Sequence, residues 1–198
     1  MRIVHYTLGI YPLRTGGLNR YATDLMMEQN KEHKVSVLLP GTWIPWKKKC
    51  FISYNSNYSE IKCYHLNNAL PQPLFYGIRK PKNLMGCPIC LKSFEKFFTE
   101  EKPEVLHLHT LMGMPEEALR FFKDKGVKIV YTSHDYFGIC PKVNLINQNG
   151  VLCEGPAPGR CAICNENSLS TLFLRVRNSE VAFKTRNFTR WLKNTLNF

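Results

Sequence analysis

Three short stretches decide the fold: Arg2-Ile-Val-His-Tyr-Thr7, the pair Gly16-Gly17, and Lys34-Val-Ser-Val-Leu-Leu39. The two outer stretches are short and rich in apolar and β-branched residues, which predicts buried strands. Between them, apolar residues recur at helical spacing in a stretch without Pro, at Leu18, Tyr21, Leu25 and Met26. A strand, a helix and a strand joined by short connections predict a right-handed parallel crossover.

A second unit of the same kind follows later in the chain. Pro103-Glu-Val-Leu-His-Leu-His109 predicts a third strand, and Val127-Lys-Ile-Val-Tyr-Thr132 predicts a fourth. Between them, Pro115 to Lys125 predicts a helix, with proline and two acids in its first turn, lysines in its last turn and Gly126 just beyond. Two βαβ units predict an open, mainly parallel α/β sheet.

The remaining stretches have less regular patterns. Residues 41–103 are predicted to be irregular, apart from a strand at Ile61 to Leu66 and a short helix at Ser93 to Phe98. Residues 136–167 hold four cysteines, three prolines and four glycines, which predicts a structured loop rather than more sheet. Residues 168–198 contain no Pro or Gly and mix apolar with basic side chains, which predicts a basic amphipathic helical segment.

Composition limits the class of protein. Hydrophobic residues make up 44% of the 198-residue chain, which excludes wholesale disorder. The formal net charge of +12 predicts an anionic partner, such as nucleic acid, a phospholipid surface or a phosphorylated substrate. The chain opens without a secretory signal, and no apolar run approaches the roughly 18 residues of a membrane helix. We therefore expect a cytoplasmic protein, with reduced or metal-bound cysteines, that is soluble or peripheral on the inner membrane face.

The glycine turn between the first strand and first helix is a candidate anion site. Glycines at a helix N-terminus let backbone N–H groups approach a diphosphate, and Gly16, Gly17 and Asn19 lie in this turn. An ordinary pair of turn glycines is the alternative. The Gly-x-Gly-x-x-Gly spacing of a dinucleotide site is absent, and no Gly-Lys-Ser/Thr follows, so nicotinamide-dependent redox chemistry and a P-loop are disfavoured.

Histidines follow two of the predicted strands at the same edge of the sheet. His107 and His109 end the third strand, and His134 with Asp135 follows the fourth. Because the carboxyl ends of parallel strands meet at one edge, these residues and Gly16-Gly17 are predicted to converge. Histidine suits hydrogen bonding to sugar hydroxyls as well as proton transfer. A packing role for His107, an ordinary turn at His134-Asp135, and a zinc-hydrolase site built on His107, His109 and Asp135 are alternatives.

Four of the eight cysteines form a further candidate site. Cys140, Cys153, Cys161 and Cys164 fall within one 25-residue stretch, where four thiolates would enclose a structural zinc ion. The separate Cys87-Pro-Ile-Cys90 is a possible contributor. Disulfides and free thiols are the alternatives, because the spacings match no standard zinc ribbon.

The end of the chain is strongly basic. From Leu169 to Phe198 there are six basic side chains against one acidic side chain, with Phe and Trp interspersed. This composition is typical of a helix on an anionic bilayer surface, and a solvated helix packed on the domain or on a partner is the alternative.

Together these motifs resemble the N-terminal half of glycosyltransferase family 4 enzymes. The resemblance covers most of the chain. It rests on Gly16-Gly17-Leu18 with Tyr21 and Asp24-Leu25, on Pro103 to His109, on Tyr131-Thr-Ser-His-Asp-Tyr-Phe-Gly-Ile-Cys-Pro141, and on Leu152-Cys-Glu-Gly-Pro156 leading to Cys161-x-x-Cys164.

The resemblance implies a GT-B fold, in which two Rossmann-like domains face each other across a cleft. The N-terminal domain receives a glycan or lipid-linked acceptor, and the C-terminal domain holds a nucleotide-sugar donor. Transfer retains the anomeric configuration and needs no cofactor, so zinc in the cysteine loop would be structural only. Gly16 and Gly17 would face the donor diphosphate or the acceptor, His134 would be the catalytic residue beside the transferred sugar, and Asn19, His109 and Asp135 would contact substrate.

The resemblance also divides the chain into two parts. Residues 1–167 would form the Rossmann-like domain, including the cysteine-rich loop 136–167, and residues 168–198 the basic helical segment. The basic pair and the Glu-x7-Glu element of the family's donor-binding domain are absent, so we expect no transfer by this chain alone. The expected function is the acceptor-side half of a transferase for polysaccharide or lipid-linked glycan synthesis, without nucleic-acid binding and with a possible donor-domain partner chain.

Two other hypotheses come from different classes of protein. The charge and the cysteines are compatible with a zinc-stabilised, basic nucleic-acid-binding protein. A non-catalytic partner or remnant of a glycosyltransferase would keep the fold without binding a ligand at the Gly16-Gly17 turn.

Overall fold

Six strands form one sheet in the computed structural model, which describes residues 1–79 and 86–177 together with Ser179, Ala182 and Thr185. The strands are β1 (Arg2–Tyr6), β2 (Lys34–Pro40), β3 (Phe51–Tyr58), β4 (Ile61–Asn67), β5 (Val105–Leu108) and β6 (Lys128–Tyr131). Their order across the sheet is β3-β4-β2-β1-β5-β6, and every neighbouring pair is parallel except β3 and β4. The predicted mainly parallel α/β sheet is confirmed.

Among the described residues, three helices connect strands, and two more follow the last strand. In the described part of the chain they are α1 (Gly17–Gln29), α2 (Leu91–Glu101), α3 (Glu116–Asp124), α4 (Pro158–Cys164) and α5 (Thr171–Arg177). Helix α1 joins the parallel strands β1 and β2, and α3 joins the parallel strands β5 and β6, so both predicted βαβ units are present. Pro115 precedes α3, acids occupy its first turn, and Gly126 with φ +77° follows its end.

Helix α1 buries only part of the predicted apolar pattern, because Met26 is buried and Leu18 and Leu25 are half-buried. Its buried side chains are Asn19, Ala22, Thr23 and Met26, whereas Tyr21 is exposed. The two polar side chains can be buried because both are hydrogen-bonded. The Thr23 hydroxyl donates to the Asn19 backbone carbonyl at 2.7 Å and accepts from the Tyr11 N–H at 3.0 Å, and the Asn19 side chain donates to the Thr15 carbonyl at 3.1 Å. Tyr21 lies outside this face, at the carboxyl edge of the sheet.

Strand β3 corrects the prediction that residues 41–60 are irregular. It pairs antiparallel with β4 at the edge of the sheet, with a bulge between Tyr54 and Ser56. Most of its side chains are exposed or half-buried, so it lacks the apolar alternation that marks a half-buried strand. Backbone hydrogen bonds from Cys50 N–H to Pro88 O and from Cys90 N–H to Cys50 O tie the start of this strand to the segment before α2. These long-range bonds have no local sequence signal.

The two faces of the sheet have different coverings. Alternate side chains of β1 and β5, including Val4 and Leu106, join the larger core, which also contains phenylalanines of α2 and α3. On the other face, Val35 and Val37 of β2 pack with Met26 of α1. His5 and His107 alternate with the first set along their strands, so they lie on the face that α1 covers.

A buried carboxylate at the end of α2 bonds to side chains of β2 and β4. Glu101 is 2% exposed and accepts hydrogen bonds from Tyr64 Oη at 2.7 Å and from Lys62 Nζ at 3.0 Å, and Lys34 Nζ lies 3.9 Å away. Burial raises the pKa of the Glu101 carboxyl, but these hydrogen bonds and the two lysine charges outweigh burial and leave the pKa below its usual value.

We expect Glu101→Gln to lower the free energy of unfolding by about 1–3 kcal/mol at pH 7, since it removes charge-assisted bonds from a buried acceptor. Because the folded pKa lies below the unfolded pKa, the stabilisation is complete above about pH 4.3 and declines as the pH falls further. Urea unfolding at pH 7 and at pH 3.5 measures both effects. Glu100→Gln is the control, since its ion pair with Lys96 is exposed and should contribute less than about 0.5 kcal/mol. Equal losses for the two variants would contradict the prediction.

The predicted helical segment 168–198 lies largely outside the described residues. Helix α5 belongs to it and packs through the buried Leu174 against Ile78. The cysteine-rich loop 136–167 contains α4. Within the described part of the chain, no helix has the length and apolar content needed to cross a membrane.

Candidate functional site

Polar and aromatic side chains converge where β1, β5 and β6 end and α1 begins. His109 follows β5, His134 follows β6, and Tyr21 lies in the second turn of α1. The Tyr21 ring centre is 4.9 Å from that of His134 and 5.9 Å from that of His109, and the two imidazole centres are 5.7 Å apart. The predicted convergence of His109 and His134 at the carboxyl edge of the sheet is therefore present, with Tyr21 between them.

Beneath this edge, three histidines contact one another. His5 of β1 stands opposite His107 of β5 in the strand register, and the ring centres of His107 and His109 are 4.4 Å apart. His5 Nδ1 lies 2.9 Å from His109 Nε2, and His107 Nε2 lies 2.8 Å from the Thr132 hydroxyl. His5 and His109 are fully buried, whereas His107 is half-buried. His109 thus belongs both to this edge and to a buried imidazole cluster.

The role of His5 was missed in the sequence, as was that of Tyr21. His5 occurs in a buried strand without any polar neighbour that marks it, and only the pairing of β1 with β5 places it beside His107. The one available signal was the shared pattern of the two strands, each with a histidine between apolar residues. Tyr21 belongs to the apolar pattern of the predicted helix, and the burial of α1 leaves it exposed beside His134.

A directional hydrogen-bond chain runs from α1 into this cluster. Gln29 Oε1 lies 2.9 Å from His5 Nε2, so that nitrogen carries the proton and donates to the amide oxygen. His5 Nδ1 then accepts from His109 Nε2–H. The remaining ring nitrogen of His109, Nδ1, is buried and has no hydrogen-bond partner.

The imidazoles of this edge are uncharged at neutral pH. Burial lowers the pKa of His5 to about 4 and that of His109 to about 3, and the neighbouring histidines lower both pKa values further. Burial also lowers the pKa of His107 and of His134. Neutral imidazoles can both donate and accept hydrogen bonds, which suits contact with hydroxyl groups.

The glycine turn lies exposed at the start of α1. Gly16 has φ +125°, a conformation that favours glycine, and no side chain caps the helix. A Cβ added at Gly17 would meet no atom within 4 Å, so there is room for a ligand beside the first backbone amides. The N-terminus of this 13-residue helix is therefore accessible to an anionic group.

Asn19 and Asp135 shape their turns. Asn19 is buried, accepts from the Thr7 hydroxyl at 3.4 Å and donates to the Thr15 carbonyl at 3.1 Å, so its side chain holds the glycine turn from within. Asp135 Oδ1 accepts from the Phe137 N–H at 2.9 Å and closes the turn after His134. Contact of either side chain with substrate stays a prediction.

The four loop cysteines border a separate cavity. Cys140, Cys153, Cys161 and Cys164 all line a cavity of about 270 Å³, and all eight cysteines of the chain are free of disulfides. Cys161 Sγ accepts from the Ala157 N–H at 3.3 Å, and Cys153 Sγ lies 3.2 Å from the Gly155 carbonyl. No three of the sulfur atoms come within 4.8 Å of one another, so a zinc site here would require the loop to draw the thiols together.

Comparison with known proteins identifies a family. A family model described as Glycosyltransferase Family 4 matches residues 15–151, a range that includes the glycine turn and His134. No curated protein matches the chain. Among solved structures, the catalytic domain of starch synthase IV from Arabidopsis thaliana bound to ADP and acarbose is similar, with a TM-score of 0.40 and 14% identity. The similarity covers 67% of this chain and 34% of that chain, so the match spans about a third of the solved relative.

Proposed function

Because the chain belongs to glycosyltransferase family 4, we propose that it forms the acceptor-side half of a sugar transferase that uses a nucleotide-sugar donor and retains the anomeric configuration. One observation supports this proposal above the others. The exposed amide end of α1 at Gly16-Gly17 and the neutral imidazoles of His109 and His134 belong to the same carboxyl edge of the sheet.

The chemistry of this edge fits a sugar carrying a diphosphate. The amides at the start of α1 would bind a phosphate group, because the helix dipole and the uncapped N–H groups favour an anion there. His134, which is exposed and neutral, would donate to or accept from a hydroxyl of the transferred sugar. The ring of Tyr21, 4.9 Å from His134, offers an apolar surface on which a sugar ring can pack.

The proposal assigns stabilisation of the leaving group to a second domain. As the sugar leaves, negative charge develops on the donor diphosphate and needs fixed cationic groups. The family's basic pair and Glu-x7-Glu element do not occur in this sequence. We therefore expect the chain to act with a donor-binding domain, in the same protein or in a partner chain, and not to transfer sugar alone.

A lipid-linked acceptor at the cytoplasmic face of a membrane is the proposed substrate class. Helix α5 exposes apolar side chains at Leu172, Phe173 and Val176 and carries Arg175 and Arg177. Exposed apolar groups beside cationic ones are typical of segments that lie on anionic bilayers. In this proposal the net charge of +12 attracts the phosphate groups of the acceptor and of the membrane, and not nucleic acid.

The structural zinc in the cysteine loop is proposed with a stabilising role only. Its support is that all four thiols border one cavity. The transfer reaction itself would need no cofactor.

The proposal is tested by transfer from radiolabelled UDP-glucose, UDP-N-acetylglucosamine and GDP-mannose to the membrane glycolipids of the source cell. The purified chain is assayed alone and together with a donor-binding domain of another family member. We expect labelled glycolipid only in the combined reaction, and chemical-shift changes at Gly16, Gly17 and His134 when the ¹⁵N-labelled chain binds acceptor. Transfer by the chain alone would contradict the need for a donor-binding domain. The absence of both transfer in the combined reaction and chemical-shift changes at this edge would contradict the proposed function.

A further inference from the structure

Three histidine side chains form a nitrogen-only cluster beneath the edge of the sheet. One ring nitrogen from each of His5, His107 and His109 can be chosen so that all three lie within 4.8 Å of one another. We propose that these three histidines bind one divalent transition-metal ion, of which Zn²⁺ is the reference case. The inference concerns the chain itself and stands independently of the transferase proposal.

The strands hold the three rings in place without any ligand. His5 and His107 are register partners on the adjacent strands β1 and β5, with ring centres 5.2 Å apart. His109 follows two residues after His107, and its ring centre lies 5.2 Å from that of His5 with an interplanar angle of 11°. A site carried by neighbouring strands is preorganised, so little conformational entropy is lost when an ion binds.

Two of the three histidines have the outer hydrogen bonds that metal-bound imidazoles have. A ligating histidine usually donates its other N–H to an oxygen, which fixes the tautomer and the ring orientation. His5 Nε2 faces Gln29 Oε1 at 2.9 Å, and His107 Nε2 faces the Thr132 hydroxyl at 2.8 Å. At His5 the lone pair is on Nδ1, where it accepts from His109 Nε2–H in the metal-free protein. At His107 the lone pair is on Nδ1 when Nε2–H donates to the Thr132 hydroxyl.

His109 supplies the third observation. Its Nδ1 is buried without a hydrogen-bond partner, and its Nε2 is shared with His5. A buried polar atom without a partner costs free energy, so His109 is incompletely bonded in the metal-free cluster. When the His109 proton moves from Nε2 to Nδ1, the hydrogen bond to His5 is replaced, and His5 Nδ1 and His109 Nε2 both present lone pairs to an ion.

The donor set decides the class of ion. It contains no carboxylate, so it does not suit Mg²⁺ or Ca²⁺, which prefer oxygen ligands. Neutral imidazole suits Zn²⁺, Co²⁺, Ni²⁺ and Cu²⁺. The low pKa values of His5 and His109 keep the rings unprotonated at neutral pH, so no proton competes with the ion. Asp135, the third ligand considered from the sequence, does not belong to the cluster.

Cobalt titration of the full chain tests the site. The chain is stripped with a chelator, dialysed and titrated with Co²⁺, while the visible absorption and the melting temperature are recorded. We expect a spectrum of a nitrogen-ligated ion, displacement of Co²⁺ by Zn²⁺, and a melting temperature that rises with Zn²⁺. His107→Ala should weaken binding by about 100-fold or more, and Gln29→Leu by about 10–100-fold.

Controls separate this site from the cysteine loop and from general effects on folding. His33→Ala removes a histidine just before β2, at the opposite edge of the sheet, and should leave Co²⁺ affinity unchanged. Cys161→Ser with Cys164→Ser should abolish only sulfur-to-cobalt charge-transfer absorption in the near ultraviolet. The proposal is overturned if the chain binds no Co²⁺, if the only spectrum is that of a thiolate site, or if folded His107→Ala binds as tightly as the parent chain.

Discussion

Phe122→Ala should lower the free energy of unfolding by about 3–5 kcal/mol. Phe122 of α3 is fully buried, and its ring centre lies 5.4 Å from that of Phe121 and 6.1 Å from those of Phe94 and Phe97. Its removal forfeits apolar burial and aromatic contacts and leaves a cavity between α2, α3 and the sheet. Urea unfolding at pH 7 measures the loss.

Phe75→Ala is the matched control for this substitution. Phe75 lies in the 3-10 turn Leu74–Tyr76 and is 75% exposed, so its replacement should change stability by less than about 0.5 kcal/mol. If Phe122→Ala cost no more than Phe75→Ala, the packing of α2 and α3 on the sheet would be described incorrectly.

His134→Ala should lower kcat by about 100-fold or more in a transfer reaction that includes the donor-binding domain, with little change in the free energy of unfolding. The His134 side chain is exposed at the rim, beside Tyr21 and His109, so the fold does not depend on it. Its neutral imidazole is proposed to contact the transferred sugar, where hydrogen bonding or proton transfer would stabilise the transition state. Steady-state rates with radiolabelled donor measure the effect.

Two further variants define what His134 does. His134→Gln keeps a hydrogen-bonding side chain, so recovery of most of the rate would indicate positioning, and no recovery would indicate proton transfer. His33→Ala, at the opposite edge of the sheet, should leave the rate unchanged. If folded His134→Ala transferred sugar as fast as the unsubstituted chain, His134 would have no role in the reaction.

The second βαβ unit shows how much local pattern can predict. The ends of α3 follow from Pro115, two acids, a lysine and Gly126, because each of these residues acts on the nearest helix turn. The alternation in β5 predicts that His107 and Leu108 occupy opposite faces of the sheet. These features depend on residues within a few positions of one another, so a single sequence contains them.

Strand β3 and helix α1 show where the local pattern fails. The polar strand Phe51–Tyr58 forms because β4 pairs with it, and nothing within it requires a strand. In α1, tertiary hydrogen bonds to Tyr11 and Thr7 make a partly polar face the buried one. Apolar periodicity cannot anticipate this face, because it treats Asn19 and Thr23 as solvent-facing.

The candidate site divides in the same way. The sequence by itself determined the α/β sheet, the two crossovers, the glycine turn at the start of α1 and the convergence of His109 with His134, because parallel strands all end at one edge. Only the tertiary structure decided that β1 lies beside β5, and with this pairing that His5 joins His107 and His109. The reason is physical: strand order and register are set by contacts between residues about a hundred positions apart, which no local pattern encodes.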